Sequence, residues 1–285
     1  MLIEKFAELT EYMSLIEIMT ILDKVKNVSM ERNHNFTDKS DFIEALLQIQ
    51  CGRPAQTGYD KYSKAVIASH ECGHALNGTI MNEITTGLKP WLGSSKVSFI
   101  TLDPRGDFGG MVSSSEMGKF TYTFENVFAE LVTDFGGYSG EKHFYGIDGS
   151  WGISQDMEQA TNMATKAAAI MGVGHFFGKK SLRGVLFEDT KDKTLVNQDV
   201  EVFLHNAQLV SDMIMDEYHD FVKQFTDKYT NKVGTGECIV PGEEFRKSLN
   251  EWRKSLPEQK QKDLLVLNEI IKEIMLKTQK GIKCD

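Results

Sequence analysis

The stretch KAVIASHECGHALNGTI, residues 64–80, decides the fold because it places two histidines inside an apolar, helical pattern. His70 and His74 are four positions apart, and residues with this spacing lie on one face of an α-helix. Two imidazoles in this arrangement can bind one metal ion at about 2.0–2.1 Å each. Glu71 lies beside them, where a carboxylate can act as a general base. This His-Glu-x-x-His pattern is typical of a zinc hydrolase.

The alternative interpretation of this stretch is a helix with two surface histidines and no metal. The flanking residues argue against it because they are apolar on both sides: Ala65, Val66, Ile67, Ala68, Ala75, Leu76 and Ile80. Burying two histidines and a glutamate in such a helix costs free energy unless they serve a purpose. Cys72 lies two positions from each histidine, on another face, and is expected to pack in the core.

The composition is that of an ordinary globular protein, 41% hydrophobic and 26% charged, and 285 residues allow one large core or two smaller ones. A net charge of -9 argues against a nucleic-acid partner and a basic membrane-binding face. The four cysteines contain no Cys-x-x-Cys pair, which fits a reducing, cytoplasmic location. We find no signal-peptide pattern and no long uncharged apolar stretch, so we expect no membrane span.

The fold class predicted from the whole chain is mainly α with a small β-hairpin. The hairpin combines residues 96–102 (KVSFITL), a turn at residues 103–106 (DPRG) and a return strand at residues 108–113. An exposed strand edge can hold an extended peptide through main-chain hydrogen bonds, and a purely structural hairpin is the equal alternative. We expect substrate contacts along this hairpin, at Val97, Phe99, Thr101, Gly109 and Gly110.

Apolar periodicity predicts helices over residues 1–33, 123–135, 155–171, 200–225 and 243–256. The pair Gly136-Gly137 is expected to end the second of these, leaving residues 140–154 as a loop. Ser154 is the expected N-cap of the next helix. Residues 234–242 are expected to form a loop. After Pro257, spaced apolar residues predict a charged, amphipathic helix: Leu264, Leu267, Ile271 and Ile274.

A catalytic zinc ion commonly has three protein ligands and a water, so a third ligand is needed. The metzincin pattern fails, because Ile80 stands where its third histidine would be. Three candidates remain. Glu130 resembles the helical glutamate of thermolysin-like enzymes, His143 lies in a predicted loop, and Asp156 begins a predicted helix. Spacing alone does not choose among them.

Further motifs follow the histidine helix in a fixed order: residues 100–106 (ITLDPRG), 135–137 (FGG) and 154–161 (SQDMEQAT). Together with residues 70–76 (HECGHAL) they resemble the peptidase domain of the FtsH family, the membrane-anchored ATP-dependent zinc metalloproteases. The resemblance covers most of residues 60–256. It implies that His70, His74 and Asp156 bind one Zn²⁺ per chain and that Glu71 is the catalytic base.

The resemblance also implies a division of the chain. Residues 1–58 form a helical segment similar to the end of an AAA+ lid, and residues 59–256 form the zinc metallopeptidase domain. Residues 257–285 lie outside the resemblance, and their apolar spacing predicts a charged, amphipathic C-terminal helix. We find no Walker motif, so the AAA+ ATPase core is missing from this sequence and no nucleotide-binding residue is assigned. Where the family has an arginine and paired acids after Gly-Gly, residues 138–142 read YSGEK. Glu141 is expected to orient a zinc-binding histidine without binding the zinc itself.

The sequence therefore predicts a zinc metalloendopeptidase that cuts unfolded or flexible proteins, with an AAA+ ATPase subunit as partner. The family implies a hexameric homo-oligomer, and the expected location is cytoplasmic or membrane-associated through a partner. Two alternatives stay open. One is an inactive, peptidase-like module that binds unfolded chains or an ATPase, against which the intact Glu71 argues. The other is a thermolysin-like enzyme that uses Glu130.

Overall fold

The computed structural model describes residues 10, 13–55, 58–106, 109–115, 122–148, 150–182, 190–235 and 238–285. Helices dominate these residues, and one small antiparallel sheet packs beside them. This confirms the predicted fold class, mainly α with a small β-hairpin. Among the described residues, no helix has the length and apolar character that a membrane span requires.

Nine α-helices and three strands follow one another in the described part of the chain. In order they are α1 (Leu15–Glu31), α2 (Lys39–Gln50), α3 (Lys61–Leu88), β1 (Lys96–Thr101), β2 (Met111–Ser115), α4 (Phe124–Tyr145), α5 (Ser154–Lys166), α6 (Thr190–Glu217), α7 (His219–Tyr229), β3 (Ile239–Pro241), α8 (Gly242–Ser255) and α9 (Glu258–Gln279).

Helix α3 is the centre of the fold, and α4 packs along it at backbone distance. The close approach depends on glycine. A Cβ on Gly136 would lie 2.6 Å from the backbone of Gly73, and a Cβ on Gly137 would lie 2.6 Å from Nδ1 of His70. The prediction that Gly136-Gly137 ends this helix is wrong, because both glycines serve helix packing. Helix α4 continues to Tyr145 and ends at Gly146, whose φ of +65° favours glycine.

The sheet has the order β2-β1-β3, with every neighbouring pair antiparallel. Ile100 in β1 lies opposite Val112 in β2 and Val240 in β3, so β1 is the central strand and β2 an edge strand. The sequence did not predict β3, since residues 234–242 were expected to form a loop. A strand of three residues is too short for a periodic signal, and only its pairing with β1 defines it.

Helices α1 and α2 form a small core of their own, which includes Val28, Phe42 and Leu46. Phe99 of β1 packs into this core, so the helix pair and the sheet are in direct contact. A buried ion pair also connects α2 to the turn after β1, since Nη1 of Arg105 donates to Oε1 of Glu44 at 3.2 Å. The predicted helix over residues 1–33 is present as α1; residues 1–9 and 11–12 lie outside the described residues.

Two boundaries differ from the predicted ones in the second half of the chain. Ser154 is the first residue of α5, not its N-cap, and its hydroxyl donates to the carbonyl of Trp151. The predicted helix at residues 200–225 begins earlier and is divided at Tyr218 into α6 and α7. The C-terminal helix is confirmed as α9, and it buries all four predicted apolar positions: Leu264, Leu267, Ile271 and Ile274.

Candidate active site

Helix α3 presents His70 and His74 on one face, and the first turn of α5 brings Asp156 to them. The two Nε2 atoms lie 3.1 Å apart. Oδ2 of Asp156 lies 3.3 Å from Nε2 of His70 and 3.4 Å from Nε2 of His74. Helical periodicity places the two histidines together, whereas the packing of α5 against α4 supplies the carboxylate. The three predicted ligand residues therefore meet at one point.

The other ring nitrogen of each imidazole, Nδ1, lies within hydrogen-bond distance of an oxygen atom. Nδ1 of His70 lies 2.8 Å from Oε1 of Glu141, and Nδ1 of His74 lies 2.7 Å from the carbonyl oxygen of Thr133. A carboxylate and a carbonyl oxygen only accept hydrogen bonds, so Nδ1 carries the hydrogen in both rings. In the neutral form that binds metal, each ring then directs the lone pair of its Nε2 toward Asp156. Glu141 lies where the sequence predicts a residue that orients a histidine.

The donor atoms fit a zinc ion. Three electron-rich atoms that face one another repel unless a cation lies between them, and Oδ2 of Asp156 is a buried atom with no hydrogen-bond partner among the described residues. A tetrahedral zinc ion with bonds of about 2.0–2.1 Å keeps its ligand atoms roughly 3.3–3.4 Å apart. The three distances here are 3.1, 3.3 and 3.4 Å. Two imidazoles and one carboxylate are also an ordinary zinc donor set.

The electrostatics of the site favour positive charge. Burial lowers the pKa of His70, but its contacts with the carboxylates of Asp156 and Glu141 outweigh this effect and raise the pKa to about 10. Burial opposes a raised pKa at His74 as well, and the charge of Asp156 overcomes it. Burial would raise the pKa of Asp156, yet the two histidines hold it well below its usual range. The same arrangement that retains protons will bind a metal cation when it displaces them.

Glu71 is buried beside this cluster, and burial raises the pKa of its carboxyl against the opposing effect of the two histidines. Gly110, which precedes β2, leaves room for this side chain, because a Cβ there would lie 2.6 Å from Oε1 of Glu71. A carboxylate with a raised pKa beside a metal site is suited to accept a proton near neutral pH. Gly110, one of the predicted substrate-site residues, therefore lies directly beside Glu71.

The structure corrects the other substrate contacts expected at the hairpin. The side chains of Val97, Phe99 and Thr101 are at most 1% exposed, and β1 has hydrogen-bonded neighbours on both sides. Val97 and Phe99 are buried because the faces of the sheet pack against the two hydrophobic cores, and β3 occupies the edge of β1 that was expected to be open. In the described part of the sheet, β2 and β3 are the two edge strands, and β2 is the one that lines the cavity beside the histidines. Gly109 lies next to Ile67 of α3, close to this edge.

A cavity of about 390 Å³ opens beside the cluster, between α3, α4, α5 and β2. Its walls include Glu71, His74 and Asp156. Asp134 of α4 also lines it, is only 9% exposed and accepts a hydrogen bond from Nε2 of Gln159 at 3.3 Å. Sequence reasoning missed Asp134, although its spacing of four from Glu130 is a signal that two acids share one helix face.

The other two candidates for the third ligand lie elsewhere. Glu130 lines the cavity but is not part of the cluster formed by the histidines and Asp156. His143 lies on α4, and its Nε2 is 3.1 Å from Oδ1 of Asp216. The geometry therefore brings Asp156, of the three, to the two histidines.

Another group with metal-ligand distances lies at the start of α2 and contains His34, Asp38 and Asp41. Its carboxylates cap the helix, and the cationic Arg32 lies 3.4 Å from Asp41. These contacts account for the group without a metal.

Fold and site together define a helical domain of the metallopeptidase class. Residues 58–236 match the family described as Peptidase family M41, and the chain belongs to this family. It is similar along 98% of its length to the ATP-dependent zinc metalloprotease FtsH of Leptotrichia buccalis, at 25% identity, covering 34% of that protein. This confirms the resemblance to FtsH-type proteases found in the sequence.

Two further relatives show the same pattern. FtsH 4 of Sphaerobacter thermophilus is 24% identical over 85% of this chain and 36% of its own length. The chloroplastic FTSH 9 of Arabidopsis thaliana is 28% identical over 62% of this chain and 22% of its own length. The chain thus spans between 22% and 36% of the length of these three curated relatives.

Proposed function

We propose that this chain is a zinc-dependent metalloendopeptidase of the FtsH type that hydrolyses peptide bonds in unfolded or flexible proteins. One zinc ion per chain would be held by Nε2 of His70, Nε2 of His74 and the carboxylate of Asp156. The observation that carries the proposal is the convergence of these three groups, with Glu71 buried next to them.

Bound at this position, zinc supplies a Lewis acid that polarises a peptide carbonyl and makes a water acidic enough to lose a proton near neutral pH. Glu71 accepts that proton and then donates it to the nitrogen of the departing amine. Its burial excludes bulk water and keeps its pKa raised, which suits both steps. Glu141 and the carbonyl of Thr133 hold the two imidazoles in the tautomer that binds metal.

The open edge of β2 supports an extended substrate. An unfolded peptide that lies along the outer edge of β2 (Met111–Ser115) would pass the carboxylate of Glu71 beside Gly110. Val112 and Ser114 of β2 also line the cavity, so alternate substrate side chains would point into it. A compactly folded protein cannot present such an extended segment, which is why the substrates are unfolded or flexible.

The resemblance supports a proposal for the wider assembly. Residues 1–58 would correspond to the end of an AAA+ lid, residues 59–256 to the peptidase domain and residues 257–285 to an additional C-terminal helix. An AAA+ ATPase subunit would deliver substrates, and the peptidase would assemble as a hexamer, in the cytoplasm or at a membrane through that partner. The names of the relatives, which are ATP-dependent proteases, support this arrangement.

The decisive experiment measures zinc content and casein hydrolysis of the purified chain, with and without a chelator. We expect one zinc ion per chain and hydrolysis that the chelator abolishes and added zinc restores. A zinc-loaded protein that binds unfolded casein without cutting it would replace this proposal with the inactive, chain-binding module.

A further inference from the structure

The cavity beside the metal cluster is acidic. Four carboxylates line it, from Glu71, Glu130, Asp134 and Asp156, and no lysine or arginine lies among its described lining residues. Ligand pockets are usually lined mainly by apolar side chains, with only a few polar groups. Glu71 and Asp156 have roles in the proposed reaction. Asp134 does not, so its charge needs another explanation.

Asp134 is the informative residue of the four. It lies on α4 directly after Thr133, whose carbonyl holds His74, and its side chain is 9% exposed. Oδ1 accepts a hydrogen bond from the neutral amide of Gln159, and no described lysine or arginine forms an ion pair with Asp134. Burial raises the pKa of Asp134 to about 7 against the opposing charge of His74, and the negative charges of Asp156 and Glu130 add to the rise. The buried negative charge is therefore unfavourable, and a further cation that enters the cavity would relieve this cost.

A positively charged side chain of the substrate can supply that cation. A peptide paired with the edge of β2 projects alternate side chains toward the wall that α4 forms, because Val112 and Ser114 of β2 and Asp134 of α4 line the same cavity. Ser94 and Ser95 line it too, so this part of the wall is polar. An acidic substrate side chain would be repelled there, and an apolar one would leave the buried carboxylate without a partner.

We propose that this cavity binds a lysine or arginine side chain of the substrate next to the scissile bond, with Asp134 as the specificity-determining residue. Glu130, one turn earlier on α4, adds negative charge to the same wall. The proposal rests on the function proposed above, since it assigns a substrate preference to the same site.

The test uses the zinc-loaded full chain and peptides of identical composition, in which one lysine is moved along a norleucine background. Mass spectrometry locates each cut, and kcat/KM is measured for each peptide. We expect cuts at one constant distance from the lysine and about a tenfold or greater advantage over the isomer with a distant lysine. Because the isomers have equal net charge, general attraction to the negative protein cannot produce the difference.

The variants Asp134→Asn and Glu130→Gln keep side-chain size, and the amide introduced by Asp134→Asn retains an oxygen acceptor for Gln159. We expect Asp134→Asn to bring the ratio between the two isomers close to one and Glu130→Gln to lower it partly. Glu158→Gln is the matched control, because Glu158 is an exposed acid of α5 outside the cavity lining. Equal rates for the isomers with the unaltered protein, or an unchanged ratio in Asp134→Asn, would overturn the proposal.

A binding measurement separates this proposal from the proposed function. Fluorescence anisotropy of the same peptides with zinc-loaded Glu71→Gln protein reports recognition without hydrolysis. Lysine-selective binding that disappears in Glu71→Gln/Asp134→Asn supports the acidic pocket even where the unaltered chain cuts nothing. Hydrolysis by the unaltered chain, combined with equal binding of all isomers, supports the peptidase and refutes the pocket.

Discussion

Nδ1 of His70 donates a hydrogen bond of 2.8 Å to Oε1 of Glu141, so a buried carboxylate holds this imidazole from the side opposite Asp156. The contact crosses from α3 to α4, and it fixes both the tautomer and the orientation of the ring. Oε2 of Glu141 has no hydrogen-bond partner among the described residues. The hydrogen bond to His70 is thus the main polar contact of the Glu141 side chain.

Removing the charge of Glu141 should weaken metal binding. We expect Glu141→Gln to lower zinc affinity by about 10–100-fold, because His70 loses the partner that orients it and increases its basicity. Competition with a fluorescent chelator measures the affinity. Glu158→Gln serves as the control, since Glu158 is exposed on α5. An affinity equal to that of the control would show that Glu141 has no part in metal binding.

Replacing Glu71 by glutamine should separate metal binding from catalysis. The amide fills the same space beside Gly110 but cannot accept the proton, so we expect kcat to fall by roughly 100-fold or more while zinc content is unchanged. Casein hydrolysis and metal analysis on the same preparation provide the two measurements. Full retained activity would remove Glu71 from the mechanism.

Alanine substitutions at Asp156 and Glu130 should distinguish the two remaining ligand sets. Oδ2 of Asp156 lies within 3.4 Å of both histidine nitrogens, whereas Glu130 is outside this cluster. We expect Asp156→Ala to lose zinc during dialysis and Glu130→Ala to keep one equivalent, as measured by metal analysis. The reverse result would support the thermolysin-like ligand set.

Gly136→Ala should destabilise the protein, because the added methyl carbon would lie 2.6 Å from the backbone of Gly73 and force α3 and α4 apart. Overpacking of this kind costs about 1–3 kcal/mol of the free energy of unfolding, and more when backbone must move. Gly87→Ala is the matched control, since Gly87 is also helical but has no atom within 4 Å of an added Cβ. There we expect a gain of about 0.5–1 kcal/mol.

Urea denaturation of both glycine variants measures the two free energies. A cost at Gly136 no larger than the change at Gly87 would show that the two helices can separate freely. Zinc affinity should fall together with stability in Gly136→Ala alone, because moving α4 also moves Glu141 and Thr133 away from the histidines.

Short-range patterns predicted much of the molecule. The helix that carries His70, Glu71 and His74 follows from apolar spacing and the 3.6-residue repeat, and α9 follows from the same rule. The hairpin of β1 and β2 followed from β-branched residues and a strong turn signal. These features depend on neighbours in the chain, so the residues themselves contain the information.

The sequence predictions were wrong where a local pattern serves contacts between elements that are distant in the chain. Gly136-Gly137 is typical of a helix end in isolation, but here the missing side chains allow α4 to lie against Gly73 and His70. The edge of β1 was expected to be open because no pattern in the neighbouring sequence predicts β3. Asp134 escaped notice because one acid in a helical pattern is usually a solvated side chain, and only the packing of α4 turns it toward the cavity.

By itself, the amino-acid sequence determined which helix presents two imidazoles and a carboxylate, since helix geometry is set by backbone bonds between residues four apart. It also determined the family through motifs in a constant order. Only the tertiary structure decided which of Glu130, His143 and Asp156 meets the histidines, and which edge strand lies beside them. Those outcomes depend on how α4, α5 and β3 pack against distant parts of the chain, and such packing is a property of the whole core that no single spacing contains.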